Sequence, residues 1–167
     1  GFKQNFRNLF IDLNIFHINR KNIQINIADQ ADPNNPVTFY FYTANVNKGA
    51  NSGIDMLLNY QLTKESTFFL NCGLLKTAKD AFSYPSLIYD NVTVEQREQA
   101  RSPKYTISTG IEFQTTSKLY TRLEILTKDK YYYFNNTDQM SKSHLIINLN
   151  SKYKITDNLD ISLSVKN

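Results

Sequence analysis

The chain is poor in several residue types: its 167 residues include no tryptophan, one cysteine, five glycines and four prolines. The single Cys72 cannot form an internal disulfide, which excludes a disulfide-bridged framework and a cysteine-rich metal cluster. No apolar run approaches the roughly 20 residues that a membrane-spanning helix needs. Residues 1–5 lack the apolar stretch of a signal peptide. The net charge of +4 is mild and evenly spread, so no nucleic-acid partner is expected.

Apolar residues are nevertheless plentiful, and they alternate with polar ones. Eleven tyrosines and eleven phenylalanines exclude a disordered chain. Helical periodicity is nearly absent, whereas a period of two recurs along most of the sequence and predicts strands. In the last segment, Leu159, Ile161, Leu163 and Val165 alternate with polar residues. Because Ile23, Ile25 and Ile27 keep the odd parity of Leu9 to Ile15, one long strand is predicted near the start. The predicted strands cover 6–27, 37–62, 67–79, 103–113, 118–134, 142–153 and 159–167.

The connections between these seven strands alternate in length. Three are tight turns, at 63–66, 114–117 and 154–158, and three are longer polar loops, at 28–36, 80–102 and 135–141. Short turns at one end and long loops at the other are typical of an outer-membrane barrel. The pattern therefore predicts an all-β fold, an antiparallel transmembrane β-barrel.

Aromatic residues support the same fold because they gather near the strand ends. Two runs, 39–42 and 131–134, lie near the long loops, while Tyr60, Phe68, Phe113 and Tyr153 lie near the tight turns. Two belts of this kind are typical of the membrane interfaces of a barrel. A soluble β-sandwich that acts as a binding module stays open as an alternative, with its apolar faces packed across about 10 Å.

Three ordered stretches resemble a known family, the TonB-dependent outer-membrane receptors, in the C-terminal part of their barrel. The first runs from Asn45 to Asp55 and continues in 59–63. The second contains 102–105 and 110–113. The third contains 131–136, 149–153 and 164–167. The sequence departs from the family in having Asp55 where Glu is more common, in lacking Trp, and in ending at Asn167 without a terminal aromatic residue.

The resemblance implies a barrel of about 22 strands, so residues 1–167 are expected to form a partial barrel domain without the plug domain and the final strands. It implies an outer-membrane location and uptake of a scarce nutrient, most often an iron–siderophore complex. The implied partners are outer-membrane lipid, the siderophore complex and, through the absent plug, the TonB energy-coupling complex. A passive porin-like or structural outer-membrane barrel is the alternative.

Six residues are candidates for the lumen or the ligand path. Glu112, Arg122 and Glu124 fall on polar faces of adjacent strands. They form either a charged wall that contacts the plug or ligand, or an interior ion-pair ladder. Lys128 and Lys130, near Tyr132, lie at the long-loop end. These lysines either attract an anionic ferric chelate or meet anionic headgroups of the outer leaflet.

No pattern predicts catalysis, and no cofactor is expected. His17 and His144 lie on distant strands without nearby ligands, so a metal site is not expected. Cys72 alternates with leucines and is predicted to be a small apolar filler. Within loop 80–102, charges three and four residues apart favour a short helical turn over 95–101.

Overall fold

The computed structural model describes residues 1–35 and 37–167. Pro36, in the predicted loop 28–36, lies outside the described residues. All of the regular elements in the described ranges are strands: β1 (Phe2–Phe6), β2 (Leu9–Gln30), β3 (Phe39–Gln61), β4 (Ser66–Lys79), β5 (Phe82–Tyr84), β6 (Val92–Val94), β7 (Tyr105–Gln114), β8 (Leu119–Lys128), β9 (His144–Thr156) and β10 (Leu159–Lys166). No helix capable of crossing a bilayer occurs in these ranges.

Eight strands form one sheet in the order β1-β2-β3-β4-β7-β8-β9-β10, and β5 and β6 form a separate hairpin. Every neighbouring pair in the large sheet is antiparallel. The predicted all-β antiparallel fold is confirmed, and the sheet is open, as in a part of a barrel. The large sheet has one strand more than the roughly seven predicted, because Phe2–Phe6 turns back at residues 7–8 and pairs with the start of β2. The β5–β6 hairpin lies within the predicted loop 80–102.

Two other predicted elements were also wrong. The strand predicted over 118–134 ends at Lys128, because the Asp129 carboxylate accepts a hydrogen bond from the Lys130 N–H (2.8 Å) and turns the chain. Residues 131–133 then run against 139–141 in a small irregular hairpin. The helical turn predicted over 95–101 is absent, since Arg97 forms an isolated bridge with Lys79 instead.

The two faces of the sheet differ as the alternation predicts. One face carries exposed apolar side chains on every long strand, and none of the described residues forms a layer over them. Ile15 is 71% exposed and Leu163 is 62% exposed. The same face includes Ile54, Leu74, Leu123, Leu145, Ile147, Leu149 and Val165. These side chains are not packed inside a sandwich core, so they form an apolar outer face of the kind that meets lipid in a membrane barrel.

The exposed apolar side chains form a band across the sheet. On β2, β3 and β4 this apolar band ends at one row on the side of the long loops. Ile15, Ile54 and Leu74 lie in one cross-strand row. The next row in the direction of the long loops contains His17, Ser52 and Lys76, all of them polar. On β8 the apolar band extends from Leu119 to Ile125, within a strand of ten residues that fits the roughly 9–11 residues of a tilted transmembrane strand. The 22 residues of β2 therefore extend far beyond the band.

Side-chain alternation inverts on β2 at Asn22, so the constant parity predicted for 6–27 was wrong. Asn22 has a φ of 52°, a left-handed conformation that Asn tolerates better than most residues. Gly53 and Gly49 point to the same face of β3. A Cβ built on Gly53 would lie 2.8 Å from Phe16 Cε1, and one built on Gly49 would lie 2.6 Å from Ile23 Cδ1. Before Asn22, the even-numbered residues of β2 thus lie on the face opposite the apolar band, which is the concave face of the sheet. After Asn22, the odd-numbered residues lie on that face.

One of the two predicted aromatic belts is present. Tyr60, Phe113 and Tyr153 are exposed on the apolar face near the tight turns. The second belt is not formed. The run 39–42 begins β3 and lies more than ten residues beyond Ile54, above the band, and the run 131–134 lies in the loop after β8.

Candidate functional site

The face opposite the apolar band is polar and concave. A depression of about 600 Å³ crosses strands β2, β3, β4, β7, β8 and β9. Its wall is mostly composed of side chains that alternate with the exposed apolar ones. Polar lining residues include Asp12, Asn14, Asp55, Asn71, Thr106, Ser108, Lys128 and His144. This concave face is the first part of the candidate site.

Three of the predicted residues form one ion-pair network on the concave face. The Arg122 guanidinium contacts the Glu112 carboxylate and donates to Glu124 Oε1 at 2.8 Å. Glu124 Oε1 also accepts a hydrogen bond from Ser108 Oγ at 2.9 Å. Since Arg122 and Glu112 are directly opposite one another on β8 and β7, the register places these charges together. The two carboxylates and the guanidinium satisfy one another before any ligand arrives.

An aromatic ring lies beneath this network. Arg122 stacks over the Phe69 ring, with 4.0 Å from its guanidinium carbon to the ring centroid. Phe69 is buried because it also lies over Gly110, where a Cβ would be 2.8 Å from Phe69 Cζ and would collide with Leu123 O. Gly110 therefore provides the space in which the ring and the guanidinium pack.

A cover lies over the long-loop end of the concave face. The β5–β6 hairpin packs Phe82, Tyr84 and Val94 against Ile27 and Val46 from the upper part of β2 and β3, with Ile25 in the same buried cluster. This cluster lies on the concave side because the alternation has inverted at Asn22. At the tip, Tyr42 donates to Pro85 O at 2.6 Å. Burial raises the pKa of Tyr42 to about 12.

Lys79 connects the wall to the cover. Its ammonium donates to the backbone oxygen and the side-chain oxygen of Asn135, both at 2.9 Å, and lies 4.8 Å from the Phe82 ring centroid. Lys79 is only 3% exposed. Burial, with a smaller contribution from the charge of Arg97, lowers the pKa of Lys79 to about 8.

The loop after β8 crosses the concave side and reaches strand β2. Asn136 donates to Ala28 O at 2.7 Å and to Tyr84 OH at 3.1 Å, and its side-chain oxygen accepts from Ala28 N at 3.4 Å. Arg97 donates to Thr137 O and Asp138 Oδ1, both at 3.0 Å. Loops that are distant in sequence are thus joined into one cover, formed by residues 80–102 and 129–143.

A second depression, of about 480 Å³, lies between this cover and the wall. Arg97, Lys104 and Lys130 line it with Tyr132, and Glu98 and Asp129 lie among them. Arg97 stacks on the Tyr132 ring at 4.0 Å, and Lys104 pairs with Glu98 at 2.8 Å. Lys130 is exposed and has no ion-pair partner in the described part of the chain.

Comparison with known protein families identifies this fold. The family model described as TonB dependent receptor-like, beta-barrel matches residues 1–167. The chain belongs to the TonB-dependent receptor family. The concave face is therefore the lumen face of a receptor barrel, and the cover lies at its mouth.

Solved receptor structures share the fold. The siderophore receptor PiuA from Acinetobacter baumannii superposes with a TM-score of 0.67 at 18% identity, over 97% of this chain and 22% of PiuA. A mutant of the ferric enterobactin receptor PfeA from Pseudomonas aeruginosa gives 0.63 at 17% identity, over 99% of this chain and 24% of PfeA. Another PfeA mutant, in complex with enterobactin, gives the same values.

The chain thus spans about a quarter of the length of these receptors. No curated protein matches the sequence. At this identity the superpositions establish the fold, and what each receptor binds stays a property of that receptor.

The six predicted residues lie at three places in the receptor. Glu112, Arg122 and Glu124 lie together on the lumen wall. Lys130 and Tyr132 lie in the second depression, whereas Lys128 points into the larger lumen depression and lies 4.5 Å from the Tyr131 ring centroid.

Lys79, Arg97 and Lys104 were not among the residues predicted for the site. Arg97 lies within the charged run 95–101 and Lys104 follows that run by three residues, so the local density of charge was the available signal. Nothing local in the sequence marks Lys79, because its burial depends on a loop more than 50 residues away.

Proposed function

We propose that the receptor to which this chain belongs takes up a ferric siderophore across the bacterial outer membrane, energised through TonB. The chain contributes a sector of the barrel wall, its lumen lining and a cover at the mouth. One observation carries the proposal: an eight-stranded sheet with an exposed apolar face has a polar opposite face, over which its own long loops fold. Family membership supports a receptor rather than a passive pore.

The second depression has the chemistry of an entry site for a compact anionic chelate. Three cations, Arg97, Lys104 and Lys130, line it with two acids, Glu98 and Asp129. Arg97 is paired with Asp138 and Lys104 with Glu98, which leaves Lys130 as the lining cation without an ion pair in the described part of the chain. The Tyr132 ring provides an aromatic surface beside them. A ferric chelate with aromatic iron-binding groups and negative charge suits this lining, because cations attract it and the ring packs against it. The siderophore receptors among the structural neighbours support this ligand class.

Lys130 and Lys128 are assigned different roles on this basis. Lys130 is free to meet an incoming anion at the mouth, whereas Lys128 lies over an aromatic ring deeper in the lumen. The network of Glu112, Arg122 and Glu124 is assigned to the rigidity of the wall, because both carboxylates already bind the one guanidinium.

Uptake of radioactive iron tests the proposal. A strain that lacks the receptor gene is complemented with the full-length gene and supplied with ferric enterobactin under iron limitation. We expect saturable uptake that disappears when TonB is deleted. Uptake that persists without TonB would favour the passive porin-like barrel, and no uptake of any ferric siderophore would contradict the ligand class.

A matched pair of variants tests the entry site. Lys130→Gln removes the unpaired cation from the depression, while Lys142→Gln removes an exposed lysine of the same loop outside it. We expect Lys130→Gln to raise the KM for the anionic chelate by about twofold to fivefold, the effect of one exposed charge, and Lys142→Gln to leave it unchanged. Equal effects would show that net charge alone acts.

A further inference from the structure

A smaller depression, of about 270 Å³, lies where the cover meets the upper part of β2. It is lined by residues 24–26 of β2, by Phe41 of β3 and by two segments of the cover, 99–101 and 133–135. We call it the amide cleft. It shares no lining residue with the lumen depression or with the second depression, so its chemistry needs an explanation of its own.

Amide side chains supply most of the polar groups of the amide cleft. The side chains of Gln24, Asn26 and Gln99 line it and form no hydrogen bond within the described part of the chain. Asn135 is different, because its side-chain oxygen accepts a hydrogen bond from Lys79 Nζ at 2.9 Å. Each free amide offers both donors and an acceptor, and a hydroxyl group also donates and accepts. The cleft therefore matches a ligand that carries several hydroxyls.

Two exposed aromatic rings line the same cleft. Phe41 is 67% exposed and Tyr133 is 44% exposed. Tyr131 packs edge to face against Tyr133, with 5.8 Å between the ring centroids, and so supports the orientation of that ring. The negative face of an aromatic ring attracts C–H groups, which a sugar ring carries beside its hydroxyls. Rings and amides together suit a saccharide better than a purely apolar or purely ionic ligand.

Arg101 supplies the charge of the amide cleft. The described residues that line the cleft include no carboxylate, and the Arg101 guanidinium forms no ion pair within residues 1–35 and 37–167. The Arg101 backbone has a φ of 56°, which is unfavourable for an arginine, and its N–H donates to Tyr132 O at 2.8 Å. A free guanidinium binds a carboxylate through two parallel hydrogen bonds. The saccharide that fits this lining therefore carries a negative group.

We propose that the amide cleft binds a sugar unit with one carboxylate, such as a uronic acid. Arg101 binds the carboxylate, the free amides bind the hydroxyls, and Phe41 and Tyr133 pack against the C–H groups of the ring. The volume lies below the roughly 300–1,000 Å³ of sites for drug-sized ligands, which limits the bound part to about one ring. The proposal goes beyond uptake of a ferric chelate and does not depend on it, because the two sites share no lining residue.

Calorimetric titration of the purified full-length receptor tests the site, in a detergent without a sugar headgroup. The probes are glucuronate, glucose and acetate. We expect glucuronate to bind about tenfold more tightly than glucose, the effect of one hydrogen-bonded charge, and acetate to bind more weakly than glucuronate. Acetate binding as tight as that of glucuronate would overturn the proposal in favour of a simple anion site. Equal affinities for glucose and glucuronate, or no binding of glucuronate, would also overturn it.

Two variants assign the binding to the cleft. Arg101→Gln should lower the affinity for glucuronate about tenfold and leave that for glucose unchanged, whereas Phe41→Ala should weaken both sugars about fivefold. The matched controls are Arg7→Gln, near a tight turn, and Phe39→Ala, two residues from Phe41 on β3 and outside the cleft. All four side chains are exposed, so circular dichroism should show folded receptors. An equal loss in a variant and its control would overturn the proposal.

A uronate trisaccharide distinguishes the two sources of such a sugar unit. Binding of trigalacturonate more tightly than galacturonate would support an acidic polysaccharide as the occupant, and the opposite order would support a free sugar acid. In either case Arg101→Gln should weaken the tighter ligand. Binding of both ligands that is insensitive to Arg101→Gln would overturn the assignment to the amide cleft.

Discussion

Leu123→Arg is the substitution that most strongly separates a lipid-facing wall from any other arrangement of these strands. Leu123 is at the middle of β8, between Ile111 on β7 and Leu149 on β9, and is 41% exposed. If hydrocarbon covers this face, the substitution places a guanidinium near the bilayer midplane.

The expected cost follows from depth. Arginine on the lipid face of a barrel destabilises it by about 2–4 kcal/mol at the midplane and about 0–1 kcal/mol near the interfaces. Leu119 provides a matched control, because it is the same residue type on the same strand and face, four residues nearer to the tight turn. We therefore expect Leu123→Arg to cost about 2–4 kcal/mol and Leu119→Arg at most about 1 kcal/mol.

Equilibrium urea unfolding of the receptor from phosphatidylcholine vesicles measures both free energies. The same variants in detergent micelles should differ less, because a micelle deforms around a charge more readily than a bilayer. Equal costs for Leu119→Arg and Leu123→Arg in vesicles, or a cost for Leu123→Arg below about 0.5 kcal/mol, would refute the depth argument.

Three further predictions concern the lumen face and the cover. Gly110→Ala should cost about 1–3 kcal/mol in the same unfolding assay, because its Cβ would collide with Leu123 O. Gly73→Ala should cost less, because the nearest atom to its added Cβ is Thr106 Oγ1 at 3.1 Å. A larger cost for Gly73→Ala than for Gly110→Ala would contradict the close packing at Gly110. Asn136→Ala should speed limited proteolysis of loop 129–143 about tenfold, since it removes the hydrogen bond to Ala28 O; an unchanged rate would show that the loop is held by other contacts. The pKa of Lys79 is lowered to about 8 from its usual 10.5, so between these pH values the unfolded chain binds one proton more than the folded chain. The cover should therefore become more resistant to protease as pH rises through this window. Lys79→Met should abolish this pH dependence, and a dependence that persists in the variant would belong to another group.

The strands could be predicted from the sequence because alternation is a local signal. The parity of Leu159 to Val165 and of Leu145 to Leu149 determines which side chains share a face, and the observed register preserves it. The ion pair between Arg122 and Glu112 was predictable for the same reason, since a tight turn between adjacent strands fixes which residues are opposite.

The inversion at Asn22 and the cover could not be predicted in this way. A single left-handed residue reverses the faces of β2 without leaving a break in the alternation of Ile23, Ile25 and Ile27. The cover is built from contacts between loops that are distant in sequence, such as Asn136 with Ala28. Their composition is polar and irregular, so no local period indicates where they fold.

The second depression could not be predicted either, because no local sequence pattern distinguishes the residues that line it. Lys104 and Arg97 become part of one lining only because the chain between β6 and β7 returns to the wall at Lys79. Their charges can be read from the sequence, whereas their proximity to Tyr132 depends on the fold.

Spin-label accessibility along β9 tests most directly whether hydrocarbon covers the apolar face of this sheet. Labels placed one at a time at Leu145, Ile146, Ile147, Asn148, Leu149 and Asn150 of the full-length receptor in vesicles report collisions with oxygen, which concentrates in lipid, and with a water-soluble nickel complex. A lipid-covered apolar face should give strict alternation, with oxygen favoured at Leu145, Ile147 and Leu149 and nickel favoured at the three even-numbered positions. High nickel accessibility at 145, 147 and 149 would contradict it.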